Sequence, residues 1–357
     1  MRVLLVSALL FCLVSSVSVR SVCIDNFGKQ VCNDFKLLNS VIVKSPLSKN
    51  QLKEKLKTQV KQIAFLNNAN LFLIDTNNSV EYAKKIQKEV YVIYAQPNIS
   101  QVKDENSFES RQISQEYNLI DTWEKTKGKG INIAIIDDGF NLEHEDFFGV
   151  DIAFSYDVDS KKLDSTPREA KDTHGTQVAG IIFAQHNSLG INGVAPDASL
   201  IAIRQVTNIT SDTILAFTVA NKAGADIINC SWNSPLLLEP VYDVIIDLVK
   251  NGRNNKGVAI VFAAGNEGQM LQSNSTEASI AEVITVGARQ NYSNYGPTVN
   301  FVVKSNLTTT QKDGSYGIFS GTSATAPVIS GLIALEMSRE PNLALHEIIR
   351  KVERIIK

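Results

Sequence analysis

The sequence predicts an α/β protein: a mainly parallel sheet with helices on both faces, preceded by a small α+β unit. Three observations predict it. Beyond about residue 107, short β-branched runs bounded by Gly, Asp or Asn alternate with helix-like segments, the pattern of crossover units. Before that point the order reads strand, helix, strand, helix, strand, with a polar exit. The chain has 357 residues and is 44 % hydrophobic, enough for about two units, the second large enough for a single core.

The first stretch reads as a targeting segment. Arg2 supplies a positive charge, residues 3–14 run apolar apart from Ser7, and Ser16-Val17-Ser18 is a small-x-small exit. That combination describes a secretory signal peptide over residues 1–22, and with it a secreted or periplasmic protein. No other apolar run approaches the roughly 20 residues of a membrane span, so no stable span is expected. Cys23 and Cys32 flank a short polar loop and form a plausible disulfide in an oxidising compartment. Cys230, in an apolar stretch, reads as a buried small hydrophobe.

Residues 23–106 form the small unit. Strands are expected at 40–44, 71–74 and 90–94, and helices at 48–63, capped by Ser48, and 80–88. Pro97 and the polar run 101–106 then break the structure. In residues 107–357, strands are expected at 131–136, 200–203, 226–229, 258–263 and 283–286, and helices at 177–184, 213–222 and 241–249. Lys and Arg total 35 against 37 Asp and Glu, so nothing in the charge argues for a nucleic-acid partner. A monomer is expected. Asn-x-Ser/Thr triplets recur, but Asn229 falls in a predicted buried strand, which suggests accidents of an Asn-rich chain.

Chemistry in such a sheet sits at the carboxyl ends of strands. There the chain places Asp137-Asp138-Gly139, Ser231-Trp232-Asn233 and Gly265-Asn266-Glu267-Gly268. Two further segments look like helix starts: His174-Gly175-Thr176, and Gly321-Thr322-Ser323 ahead of Pro327. A helix start presents N–H groups and partial positive charge, which suits a developing oxyanion. Asp, His and Ser are the parts of an acyl-transfer triad: a serine hydroxyl needs an imidazole to take its proton, and the imidazole needs a carboxylate to orient it.

The segments around Asp137, His174 and Ser323 resemble the three signature blocks of the subtilisin-like serine proteases, in that family's order. The resemblance implies that Ser323 attacks the scissile carbonyl, His174 acts as base then acid, and Asp137 orients His174. Asn266 and the Ser323 N–H would hold the oxyanion, with Thr322 nearby. Ser231, Trp232, Asn233 and Gly265 would line the cleft for polypeptide substrates. Residues 23–106 resemble the family's amino-terminal propeptide, an intramolecular inhibitor, with self-cleavage expected between about Gln101 and Gln112. The spacings of Asp146 and Asn187 resemble the family's calcium loop, with Gln185, Leu189 and Ile191 adding oxygens. The function implied is a secreted serine endopeptidase made as an autoprocessed zymogen; the alternative is a catalytically silent secreted binding module on the same fold.

Two positions depart from the general pattern. Asp138 is similar to the kexin-like branch, where that acid faces a basic substrate residue, yet Lys171 stands where an acid is wanted and 235–238 is apolar. Glu277 or Glu282 could restore an acidic pocket. Asn233 replaces a usual Gly, which leaves the cleavage preference open.

Overall fold

The computed structural model describes residues 19–27, 29–100, 117 and 119–356. The expected signal core and the expected self-cleavage stretch lie outside these residues.

The first unit is a five-stranded antiparallel sheet of β1 (Val19–Asn26), β2 (Lys29–Ser45), β3 (Lys61–Phe65), β4 (Asn70–Asp75) and β5 (Tyr94–Ser100), with helices α1 (Lys49–Leu56) and α2 (Ser79–Ile86). One face packs Val41, Val43, Phe72 and Ile74 against Leu52, Ala83 and Ile86 of the helices. Several expectations shift here. Helix 48–63 stops early: Ser48 caps it as expected, in a capping box with Gln51, but Lys57 turns left-handed at φ 52°, and residues 61–65 become β3. The expected strand at 90–94 is a turn with Val90 fully exposed, and the strand runs over 94–100 instead. Pro97 does not break it, because among the described residues β5 pairs only with β2, and an edge strand can spare one N–H. The strand expected at 40–44 is the last third of β2, whose earlier part forms a hairpin with β1. That hairpin starts at Val19, inside the expected signal segment, and puts Cys23 and Cys32 opposite one another as Cα partners. Nothing is described of those two side chains.

The second unit is a seven-stranded, all-parallel sheet in the order β12-β11-β10-β9-β6-β8-β7. Its strands are β6 (Asn132–Asp137), β7 (Ile152–Asp157), β8 (Ser199–Arg204), β9 (Ile227–Cys230), β10 (Ala259–Ala263), β11 (Ile284–Ala288) and β12 (Val299–Val303). Successive residues of a strand face opposite sides. Ile133 and Ile135 of β6 therefore join the core under α4 (His174–Phe183), α7 (Thr322–Arg339) and α8 (Leu345–Ile355). Ala134 and Ile136 join the core under α5 (Thr210–Lys222) and α6 (Glu239–Asn255). A short helix α3 (Ile120–Trp123) leads in, and the hairpin β13 (Leu307–Thr310) and β14 (Tyr316–Phe319) precedes α7. β7 and β12–β14 were not expected: each is short, and the burial of β7 and β12 is patchy. Asn229 is fully buried in β9, as expected, and Cys230 is buried beside it. Among the described residues no helix is long and apolar enough to cross a membrane.

The second face of the first unit (Ile42, Ile63, Leu71, Ile99) shares one core with α5 and α6. Neither helix caps its own start with a side chain. The first unit supplies the caps. Asn98 Oδ1 accepts from the Ser211 N–H at 3.1 Å, and Asn26 Oδ1 accepts from the Glu239 N–H at 2.8 Å. Lys44 and the Tyr94 hydroxyl both donate to Asp243 Oδ2 at 2.8 Å.

Candidate active site

Asp137 is the last residue of β6 and His174 the first of α4; both are buried. A carboxylate only accepts, so His174 Nδ1 carries the proton and donates to Asp137 Oδ1 at 2.8 Å and Oδ2 at 3.0 Å. The ring meets Phe319 edge-on, centroids 5.0 Å apart. Gly175 is required beside it: a Cβ there would stand 2.5 Å from Gly139 O and 3.0 Å from Asp137 Cβ.

Ser323 lies in the first turn of α7. Its hydroxyl donates to the Ser231 carbonyl at 2.8 Å, just past the end of β9. Asn266 follows β10. Its Oδ1 accepts from the Thr322 N–H at 2.9 Å and the Thr322 hydroxyl at 3.1 Å, so the amide is held one way round and Nδ2 is its donor end. Thr322 Oγ1 in turn accepts from the Gly265 N–H at 3.0 Å. Strands β10, β9 and β6 are neighbours. Asp137, Ser231 and Asn266 thus emerge from three adjacent strands at one rim, with His174 bonded to the first, Ser323 to the second and Thr322 to the third.

Other expected site residues are placed differently. Trp232 turns its ring into the core against Phe262, and its Nε1–H donates to Ile136 O at 2.6 Å, so its side chain lines no cleft. Asp138 is half-buried, and its two oxygens accept backbone N–H bonds from His174 and Gly175 at 3.0 and 2.7 Å. Gly265 sits at φ 98°, and a Cβ there would lie within 2.8 Å of Asn233, Glu267 and Asn294 side-chain atoms. Asn233 lines a cavity of about 330 Å³ with Glu267, Gln269, Met270 and Asn294. A cavity of about 650 Å³ lies on the first unit, between α2 and the β1–β2 hairpin, and contains none of these residues.

Asn294 was not anticipated. Its Nδ2 donates to Ala264 O at 3.0 Å and Glu267 Oε2 at 2.5 Å, and its Oδ1 accepts from the Gln269 N–H, so it props the loop that carries Asn266. A single Asn in an Asn-rich chain gives no signal for this. Glu277 is buried but spends Oε2 on the Ser234 N–H at 2.8 Å, while Glu282 is exposed.

The expected cation loop has a mixed geometry. Asp146 is fully buried; Oδ2 accepts from the Ile191 N–H at 3.0 Å, and among the described residues Oδ1 has no partner within hydrogen-bond distance. An orphaned buried carboxylate oxygen suits a hard cation. The Gln185 amide N–H groups donate to Phe183 O and Pro196 O, and Asn187 Oδ1 accepts from the Leu189 N–H at 2.8 Å. Among the described residues no cluster of three or more His, Cys, Asp or Glu forms a metal site.

Residues 128–355 match the model of the subtilase family. A calcium-dependent protease of Nostoc sp. is 32 % identical over 294 residues, 68 % of this chain and 44 % of that protein, so the chain spans less than half of that relative. A thermophilic serine proteinase of Bacillus sp. is 32 % identical over 288 residues, 76 % of this chain and 69 % of that one. Kexin of Candida albicans is 31 % identical over 256 residues, covering 65 % of this chain and 27 % of that protein. Fervidolysin from Fervidobacterium pennivorans, a keratinolytic enzyme, has a similar fold, with a TM-score of 0.70 at 20 % identity over 88 % of this chain and 57 % of that one. The parallel sheet, the order of the three blocks and these matches agree: the chain belongs to the subtilase family.

Proposed function

We propose that the protein is a secreted serine endopeptidase that cleaves polypeptides through Asp137, His174 and Ser323. The observation that carries this is the rim itself: a buried Asp–His pair on β6 and α4, with a serine at a helix start bonded to the neighbouring strand. For attack, the Ser323 hydroxyl leaves Ser231 O and gives its proton to His174 Nε2, while Asp137 stabilises the imidazolium. Oxygen charge that develops meets Asn266 Nδ2 and the Ser323 N–H at the positive end of α7. His174 then returns the proton to the leaving amine, and water repeats the sequence on the acyl-enzyme. An extended substrate pairs its backbone along the residues after β9.

The first unit reads as a propeptide that inhibits in cis until the chain is cut. Its caps on α5 and α6, and the core it shares with them, support that role. A Cys23–Cys32 disulfide would staple its hairpin. Asp146, Asn187, Gln185 and the carbonyls of Leu189 and Ile191 would hold a calcium ion, which when bound would neutralise the orphaned Asp146 oxygen and stiffen the loop after α4.

The test is a serine-directed fluorophosphonate applied to purified protein. Label on Ser323, absent in Ser323→Ala, is expected. A folded protein that sheds residues 19–100 and takes no label refutes the reading in favour of a silent binding module.

A further inference from the structure

The turn after β6 carries a second carboxylate beside Asp137, and the helix bearing His174 uses both its oxygens. Asp138 Oδ2 accepts from the His174 N–H at 3.0 Å, and Oδ1 accepts from the Gly175 N–H at 2.7 Å. The first N–H groups of a helix have no partner within it, and Thr173, which precedes α4, offers no side-chain cap. A carboxylate from another element thus takes the place of an N-cap, with its charge against the positive end of the helix.

Resting on the protease reading above, we propose that Asp138 is a positioning residue that clamps the first turn of α4, and with it the His174 imidazole, against Asp137, and that it does not select a basic residue in the substrate. The geometry is reciprocal. Asp137 Oδ1 takes both the His174 Nδ1–H and the Asp138 N–H, the latter at 2.8 Å. One acid therefore holds the ring of His174 and the other holds its backbone. Gly175, with no room for a Cβ over the 137–139 turn, lets the helix start close enough for both.

The site also stores a cost. Burial, then the neighbouring Asp137 charge, push the Asp138 carboxyl up to about 7, against the pull of His174 and the two N–H bonds. The charged groups acting on it are Asp137 on β6 and His174 on α4. Because this value lies above the ordinary 3.8, stability is lost as the pH rises from about 3.8 to about 7, and the loss is complete above that. Over the same range the clamp becomes complete. Stability and activity therefore respond to Asp138 in opposite directions, which a merely structural residue would not produce.

The experiment compares full-length wild type with Asp138→Asn and Asp138→Ala. Two peptides are used, differing only in lysine or alanine at the position preceding the residue at the cut bond. Expected is a fall in kcat of roughly tenfold or more on both peptides, from misplacement of the imidazole, with KM little changed. The melting temperature at pH 8 should hold or rise in Asp138→Asn, and amide hydrogen exchange at the start of α4 should quicken roughly five- to tenfold in Asp138→Ala. A loss confined to the lysine peptide and seen in KM overturns the proposal, as does unchanged kcat with unchanged exchange. If wild type cuts neither peptide and takes no fluorophosphonate, the protease reading has failed, and the exchange measurement still decides whether Asp138 clamps the helix.

Discussion

Gly180, in the middle of α4, gives the sharpest quantitative test of how the site is held. A Cβ built there would sit closer than 3.0 Å to the hydroxyl oxygens of both Thr309 and Thr310 on β13. Those hydroxyls donate to the Gln177 and Thr176 carbonyls of α4 at 2.7 and 2.8 Å. The missing side chain is what lets the hairpin leading to Ser323 lie directly on the helix bearing His174. Gly180→Ala gains about 1 kcal/mol of helix propensity. It loses two hydroxyl bonds at about 1 kcal/mol each. Overpacking in a site that cannot collapse adds about 1–3 kcal/mol. The net is a destabilisation of about 2–4 kcal/mol, or, at about 2–4 °C per kcal/mol for a domain of this size, a melting temperature lower by about 4–16 °C. Urea denaturation followed by tryptophan fluorescence measures it, and the Gly180→Ala/Thr310→Ala pair should recover part of the loss, because removing one hydroxyl makes room. A neutral or stabilised Gly180→Ala protein would refute the close-approach argument and leave helix propensity as the governing term.

Further outcomes follow from the same contacts. Asn266→Ala should lower kcat by about 10²–10³ with little change in KM, the cost seen for one oxyanion donor in an enzyme of this class; steady-state kinetics decides. Asn98→Ala removes bonds to Ser40, Ser211 and the Ser211 backbone, and should cost about 2–3 kcal/mol in chemical denaturation of the full chain. Saturating calcium should raise the melting temperature of wild type, worth about 2.7 kcal/mol at a hundredfold excess over Kd, and leave Asp146→Asn unmoved. Burial alone would raise the Asp157 and Asp172 carboxyls, but hydrogen bonds and the buried Arg204 guanidinium outweigh it and hold both below 3.8. Their contribution is complete above that value and fades as the pH falls through the lowered ones, so Arg204→Met should weaken the acid dependence of unfolding.

The residues proposed to carry chemistry were legible because each sits at a junction with a local signature. Asp137 ends an apolar run, Asn266 follows another, and His174 and Ser323 open helices rich in small residues. The sheet was legible for a similar reason, since β6, β8, β9, β10 and β11 are short apolar runs between punctuating residues. What escaped was non-local. Helix or strand over 57–65 turned on one left-handed lysine that the pattern does not announce. β1 and the first half of β2 stabilise one another by pairing, and neither has a strong pattern alone. The orientation of Asp138 depends on two N–H groups distant in sequence, and the part played by Asn294 depends on a loop that folds back on it. Trp232 shows the converse: a residue beside the cleft in sequence whose ring is drawn into the core by Phe262.

The borrowed caps on α5 and α6 separate two events, scission of the chain and departure of the smaller unit. Severing the chain between Ser100 and Tyr117 breaks none of the bonds that Asn26, Lys44, Tyr94 and Asn98 make to the larger unit. Scission would thus leave the halves gripping one another, and the rate at which the smaller one departs would be governed by how readily water can replace an asparagine at two helix ends.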